Sequence, residues 1–244
     1  MSDRPFIPRD RDWHPPSLHP PYRSTVKRAP AARPLAIAPG RAEVSGPVFA
    51  AETLHPLDHD LIANYAAALG VEAKPIGERL IVHGRVLDEN ARPIPDCLIE
   101  IWQANAGGRY RHVNDSYLAP LDPAFGGCGR CITDGQGRYA FRTIKPGPYP
   151  WPNGDNEWRP AHIHLSIFGH ALSQRLVTQL YFEGDPLIAL CPIVNAIPDQ
   201  AAVDQLVARL DMAKQAPFDA LAYRFDIVLR GRRQTYFENK REGG

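Results

Sequence analysis

The chain has no long apolar run. No stretch approaches the roughly 18 apolar residues that cross a bilayer as a helix. It also has no charge excess: Lys and Arg number 28 against 27 Asp and Glu, for a net charge of +1. That balance removes the electrostatic case for nucleic acid or an anionic membrane as partner. The opening stretch, MSDRPFIPRDRDWHPP, has no apolar centre, so a secretory signal is not expected and a cytoplasmic location is. Cysteine is sparse, at Cys97, Cys128, Cys131 and Cys191. Cys128 and Cys131 have CxxC spacing, but no second such pair accompanies them, and we read them as buried free thiols.

What is abundant is proline. The 25 prolines are about double the usual share and argue against long helices. Ten of them fall in residues 1–47, among arginines and the aromatics Phe6, Trp13 and Tyr22. A disordered tail has little use for such aromatics, so this segment is expected to be an extended arm docked on this or another subunit. The rest, residues 48–244, is expected to be one domain, because 244 residues with 44% hydrophobic content can bury a sizeable core.

Two short helices are predicted. Residues 58–69 carry an apolar stripe of Leu61, Ile62, Tyr65 and Leu69, with Asp58 or Asp60 as cap and Gly70 as stop. Residues 199–211 place Val203, Leu206, Val207 and Leu210 at helical spacing behind Asp199. Most other segments read as strands: 79–88, 97–105, a hairpin over 131–143 turning at Asp134-Gly-Gln-Gly, 161–168, 174–182 and 222–231. In 97–105, Cys97, Ile99 and Ile101 share one face, and Leu98, Glu100 and Trp102 the other. Many strands with Gly/Pro turns and few helices give an all-β fold with a two-sheet β-sandwich core.

The chemistry gathers in residues 149–164. His162 and His164 form a His-x-His pair on one strand face, with Ile163 and Leu165 on the other. Such a pair is a natural half of a metal site. An Fe(II) facial triad would add a carboxylate, and Asp155, Glu157 and Glu183 are candidates. An all-histidine zinc site would add His83 or His112. Neither accounts for Tyr110 and Tyr149, which sit in the Gly/Pro-bounded loops GGRYRH and KPGPYPW. Phenolate is a hard anionic ligand, and two phenolates with one hydroxide would neutralise Fe(III). A set of two tyrosines and two histidines therefore suits ferric iron better than zinc, magnesium or ferrous iron.

At these residues the chain resembles the intradiol ring-cleaving dioxygenases. The likeness runs through RDRDWHPP, IEIWQANAGGRYRHVNDSYLAPLDPAFGG, FRTIKPGPYPWPNGDNEWRPAHIH, TQLYFEGDP and LAYRFDIVLRG. It implies a β-sandwich that binds non-haem Fe(III) through Tyr110, Tyr149, His162 and His164, with Tyr149 matching the ligand that leaves when substrate arrives. It implies that Arg159 lies beside the substrate ring, that Trp151, Gln179 and Ile193 line the pocket, and that Tyr22 comes from the arm. The Pro-rich arm, in place of a helical dimerisation region, favours protocatechuate over catechol as substrate, with O2 as co-substrate. The resemblance also implies a homologous α chain without iron ligands, forming αβ pairs in a larger oligomer. Trp102 is expected to pack near the site. Pro152 and residues 153–157 depart from the family pattern at the pocket rim.

Overall fold

A computed structural model describes residues 15–32, 51–88, 90–168 and 175–229. Eleven strands are found among them: β1 Arg79–Leu87, β2 Leu98–Gln103, β3 Cys128–Ile132, β4 Arg138–Ile144, β5 Tyr149–Pro150, β6 Trp158–Arg159, β7 His162–Phe168, β8 Arg175–Phe182, β9 Val207–Leu210, β10 Leu221–Arg224 and β11 Ile227–Val228. The helices are α1 Ser24–Arg28, α2 Asn64–Leu69 and α3 Gln200–Asp204, with single 3-10 turns elsewhere. Phe6 and Trp13 lie outside the described residues.

The strands form two layers. One runs β4-β1-β10-β9, with β11 pairing the far end of β1; the other runs β3-β2-β7-β8. A short parallel pairing, Tyr181 with Val207 and Phe182 with Ala208, joins the layers along one edge. The core lies between them. Leu80, Val82, Val86 and Phe141 from one layer share a buried cluster with Ile99, Ile101, Ile163, Leu165, Ile167 and Leu180 from the other. Period-two alternation produces this: Ile163, Leu165 and Ile167 are fully buried, which leaves His162 and His164 to the opposite face of β7. The all-β sandwich is therefore present as expected.

Four local expectations need correction. The helix expected over 58–69 begins only at Asn64. Before it, Leu61 N–H donates to Arg142 O and Arg142 N–H to His59 O, both at 2.9 Å, so this stretch is bridged to β4 instead of coiled. Neither aspartate caps α2; Asp60 accepts the Ile62 N–H, while Gly70 ends the helix at φ +68° as expected. The helix expected over 199–211 stops at Asp204. Asp199 does cap it, but Val207–Leu210 is drawn into strand β9 because β8 and β10 each offer it a ladder. The predicted hairpin over 131–143 keeps its turn, with Gly137 N–H donating to Asp134 O at 2.8 Å. Its strands nevertheless diverge: β3 pairs with β2 in one layer and β4 with β1 in the other. Finally, Cys128 is exposed, whereas Cys131 is buried and its thiol is pushed up to about 12 by that burial.

Candidate metal centre

The two tyrosine loops meet because two glycines let backbone approach backbone. Gly108 has φ +80°, and a Cβ there would lie 2.3 Å from Pro148 O and 3.1 Å from Tyr149 Cβ. A Cβ on Gly147 would lie 2.3 Å from Ala106 O. Buried Asn105 ties the loops together. Its backbone carbonyl accepts the N–H of Gly147 and of Gly108, and its side-chain Oδ1 accepts those of Gly107 and Arg109. Asp115 then accepts the Tyr110 N–H at 2.7 Å and orients that residue. Tyr149 stands opposite Arg159 in the β5–β6 pairing.

The result is a convergence of four side chains. His162 Nδ1 bonds the Pro160 carbonyl at 2.6 Å, so Nδ1 carries the proton and Nε2 presents a lone pair. Tyr110 Oη lies 3.4 Å and Tyr149 Oη 3.3 Å from that Nε2. The His164 ring sits 4.9 Å from the His162 ring and is stacked on Trp102 at 4.9 Å, with planes 4° apart. The β2–β7 register sets this stack by placing Trp102 opposite His164.

Burial controls the protonation of all four. It lowers His162 well below the ordinary imidazole value and His164 to about 4, with the Arg159 charge adding to both shifts. Both rings are therefore neutral near pH 7 and free to donate a lone pair. Burial raises the Tyr110 and Tyr149 phenols above their usual 10, so without a nearby cation both keep their protons. Two neutral imidazoles and two phenols awaiting a counter-charge fit a trivalent cation, which would drive the phenol protons off and be compensated by the phenolates.

Around the donors stands a polar wall. Arg159 is 4% exposed and donates through one guanidinium nitrogen to Gln179 Oε1 and to Tyr181 Oη. Tyr181 Oη donates in turn to Gln179 Oε1 at 3.0 Å. The Arg159 guanidinium carbon lies 5.8 Å from the Trp151 ring centroid, and Tyr22 meets Trp151 edge-on at 5.2 Å. Ile193 packs against the small cluster that contains Tyr181 and Cys191. Register explains the neighbours: Gln179 is opposite His164 and Tyr181 opposite His162 on β8. Tyr181 is absent from the sequence-based candidates. Strand alternation could have found it, because it shares a face with Gln179.

The carboxylate and all-histidine alternatives do not assemble. Among the described residues no group of three His, Cys, Asp or Glu side chains converges. Glu157 is hydrogen-bonded by Asn153, Glu183 pairs with Arg209 and Asp155 is exposed. His83 faces Asp211 at 3.1 Å, and His112 is exposed with its Nδ1 accepting the Asn114 N–H.

Fold and site together define a class: a β-sandwich whose phenol and imidazole donors converge as in a metalloenzyme. The family described as Dioxygenase matches residues 44–231, and that described as Protocatechuate 3,4-dioxygenase beta subunit N terminal matches residues 7–40. A protocatechuate 3,4-dioxygenase beta chain from Burkholderia cepacia is 51% identical over 238 residues, covering 97% of this chain and 99% of the relative. A protocatechuate 3,4-dioxygenase alpha chain from Pseudomonas putida is 34% identical over 164 residues, covering 66% of this chain and 76% of the relative. Among solved structures, 3-chlorocatechol 1,2-dioxygenase from Rhodococcus opacus 1CP aligns with TM-score 0.51 and 30% identity, covering 64% of this chain and 61% of that one. The chain belongs to the intradiol ring-cleaving dioxygenases, a family of non-haem iron oxidoreductases.

Proposed function

We propose that this chain is the iron-carrying β chain of a protocatechuate 3,4-dioxygenase. It would cleave 3,4-dihydroxybenzoate with both atoms of O2 to 3-carboxy-cis,cis-muconate, a step of aromatic catabolism in the β-ketoadipate pathway. The observation that carries the reading is the convergence of Tyr110 Oη and Tyr149 Oη on the unprotonated Nε2 of His162, with His164 alongside. Tyr110, Tyr149, His162 and His164 would hold Fe(III). When bound, ferric iron supplies a Lewis acid that activates a catechol toward dioxygen.

The chain's own residues do the rest. Tyr149 would be held as a phenolate by a bound cation, and because burial favours the protonated phenol, Tyr149 Oη would on leaving that cation be a strong base for a substrate hydroxyl proton. Arg159 stays cationic and is held by Gln179 and Tyr181 beside Tyr149, where it stabilises negative charge developing on the ring. Trp151 and Ile193 supply apolar wall and exclude water, and Tyr22 closes the rim. Kinship to beta and alpha chains alike supports a homologous α chain as partner in αβ pairs of a larger assembly. The division into an inter-subunit arm over 1–47 and a catalytic domain over 48–244 belongs to the same reading, as does a cytoplasmic location. Among the described residues no helix is long and apolar enough to cross a membrane.

Co-expression with an α chain tests this. The purified protein should be red-brown from phenolate-to-iron charge transfer, and the band should shift on anaerobic addition of protocatechuate. Tyr110→Phe should lose most of the colour and at least about 100-fold in kcat, of the order expected for a group acting directly on the chemistry. A colourless protein with a full complement of iron would remove the tyrosines from the site. Faster turnover of catechol than of protocatechuate would reassign the substrate to a catechol-type intradiol enzyme.

A further inference from the structure

Asn153 lies in a polar rim loop, yet it is only 2% exposed. Its carboxamide is fully used. Oδ1 accepts the Arg23 N–H at 2.8 Å, and Nδ2 donates to Pro21 O at 2.7 Å and to Glu157 Oε2 at 2.6 Å. Both arm contacts bridge at least 130 positions of sequence. One acceptor and two donors on a short side chain are the inventory of asparagine. Aspartate would set a carboxylate against a carbonyl and against Glu157, and leucine would leave all three partners unmatched.

Between the two anchored residues stands Tyr22. Its ring is held edge-on against Trp151 at 5.2 Å and is covered by the Arg28 guanidinium at 4.9 Å. Trp151 in turn lies beside Arg159, the cation of the pocket wall. The segment behind Tyr22 is itself closed: buried Thr25 accepts the His19 N–H through its hydroxyl, which also reaches the Tyr22 carbonyl at 2.7 Å. The rim loop is closed too, by Trp151 N–H donating to Glu157 O at 2.8 Å. Two preformed turns thus meet at one buried carboxamide.

We propose that Asn153 is a positioning residue, a clasp that fastens the N-terminal segment to the pocket rim. Tyr22, Trp151 and Arg159 then form one connected wall, and the segment becomes a built-in determinant of substrate affinity. Releasing the clasp loosens Tyr22 and Trp151, whereas Arg159 stays fixed by Gln179 and Tyr181 and the four converging donors are untouched, so binding suffers while the chemical step does not.

The kinetic half of the test rests on the function proposed above; the structural half does not. In the co-expressed assembly, hydrogen exchange at the Arg23 amide should be at least about tenfold faster in Asn153→Leu, since that amide loses its acceptor. KM for protocatechuate, and its Kd from anaerobic titration of the visible band, should rise about fivefold or more. The kcat should stay within about twofold and the resting band should be unchanged. Asn153→Asp, of equal size, should shift KM and Kd in the same direction, so the result does not hang on one variant folding. Unchanged Arg23 exchange, unchanged KM, or a loss of kcat in parallel with loss of the band would overturn the clasp. If the unsubstituted enzyme showed neither colour nor turnover, the proposed function would fall, and Arg23 exchange alone would still decide the clasp.

Discussion

His162 shows how much of the site is decided by single atoms. Its Nδ1–H is committed to the Pro160 carbonyl, which leaves Nε2 as a lone pair aimed at two phenol oxygens. Arg159 is placed as strictly, because its guanidinium serves Gln179 and Tyr181 from a buried position beside Trp151. A lysine there keeps the charge but, being shorter, withdraws the terminal nitrogen that donates to both partners. Arg159→Lys should therefore retain iron and its visible band while kcat falls by about 100-fold, the scale of losing one preorganised charge-stabilising donor. Steady-state kinetics alongside iron analysis checks this, and a kcat within a few-fold of the parent would take Arg159 out of the chemistry.

Among the elements, β7 carries two loads. Ile163, Leu165 and Ile167 anchor it in the core, and that anchoring holds His162 and His164 rigid on its other face. The tyrosines ride on loops instead, and the loops are held by close approach. Gly108→Ala would combine a positive φ with a Cβ only 2.3 Å from Pro148 O, forcing the Tyr110 loop away from the Tyr149 loop. The sandwich core is not involved. Iron per chain should fall below about half, while calorimetry should show Tm lowered by only about 2–8 °C, from ~1–2 kcal/mol of local strain. Full iron occupancy in that variant would mean that the loops tolerate separation.

For the whole molecule, burying two neutral imidazoles links stability to pH. Both folded-state values lie below the ordinary 6.5, His164 at about 4 and His162 well below. From pH 6.5 downward the unfolded chain therefore binds protons that the folded chain refuses. Iron-free protein should lose stability as pH falls through this window, with a slope approaching ~1.4 kcal/mol per pH unit for each imidazole. The His164 contribution should level off below about pH 4. The carboxylates with lowered values, Asp134, Glu183 and Asp219, act only at lower pH. Urea denaturation of the iron-free protein between pH 7 and pH 5 measures the slope, and His164→Gln should reduce it. An unchanged slope in that variant would mean His164 is not held neutral by burial.

The amino-acid sequence by itself determined the sandwich, the strand face shared by His162 and His164, and the candidate role of Tyr110 and Tyr149, because these follow from alternation and from residue chemistry. It could not show that 207–210 would be a strand, since helical spacing there is equally compatible with a ladder that only β8 and β10 supply. It did not disclose that the turn at Asp134 crosses between layers, because local turn chemistry is the same in either case. Tertiary structure alone decided that Trp102 stacks on His164 and that Tyr181 joins Arg159 and Gln179. It also decided that Asn153 holds Pro21 and Arg23. Each of those contacts depends on strand register or on segments far apart along the chain, and a local pattern carries no information about which distant backbone will arrive opposite it.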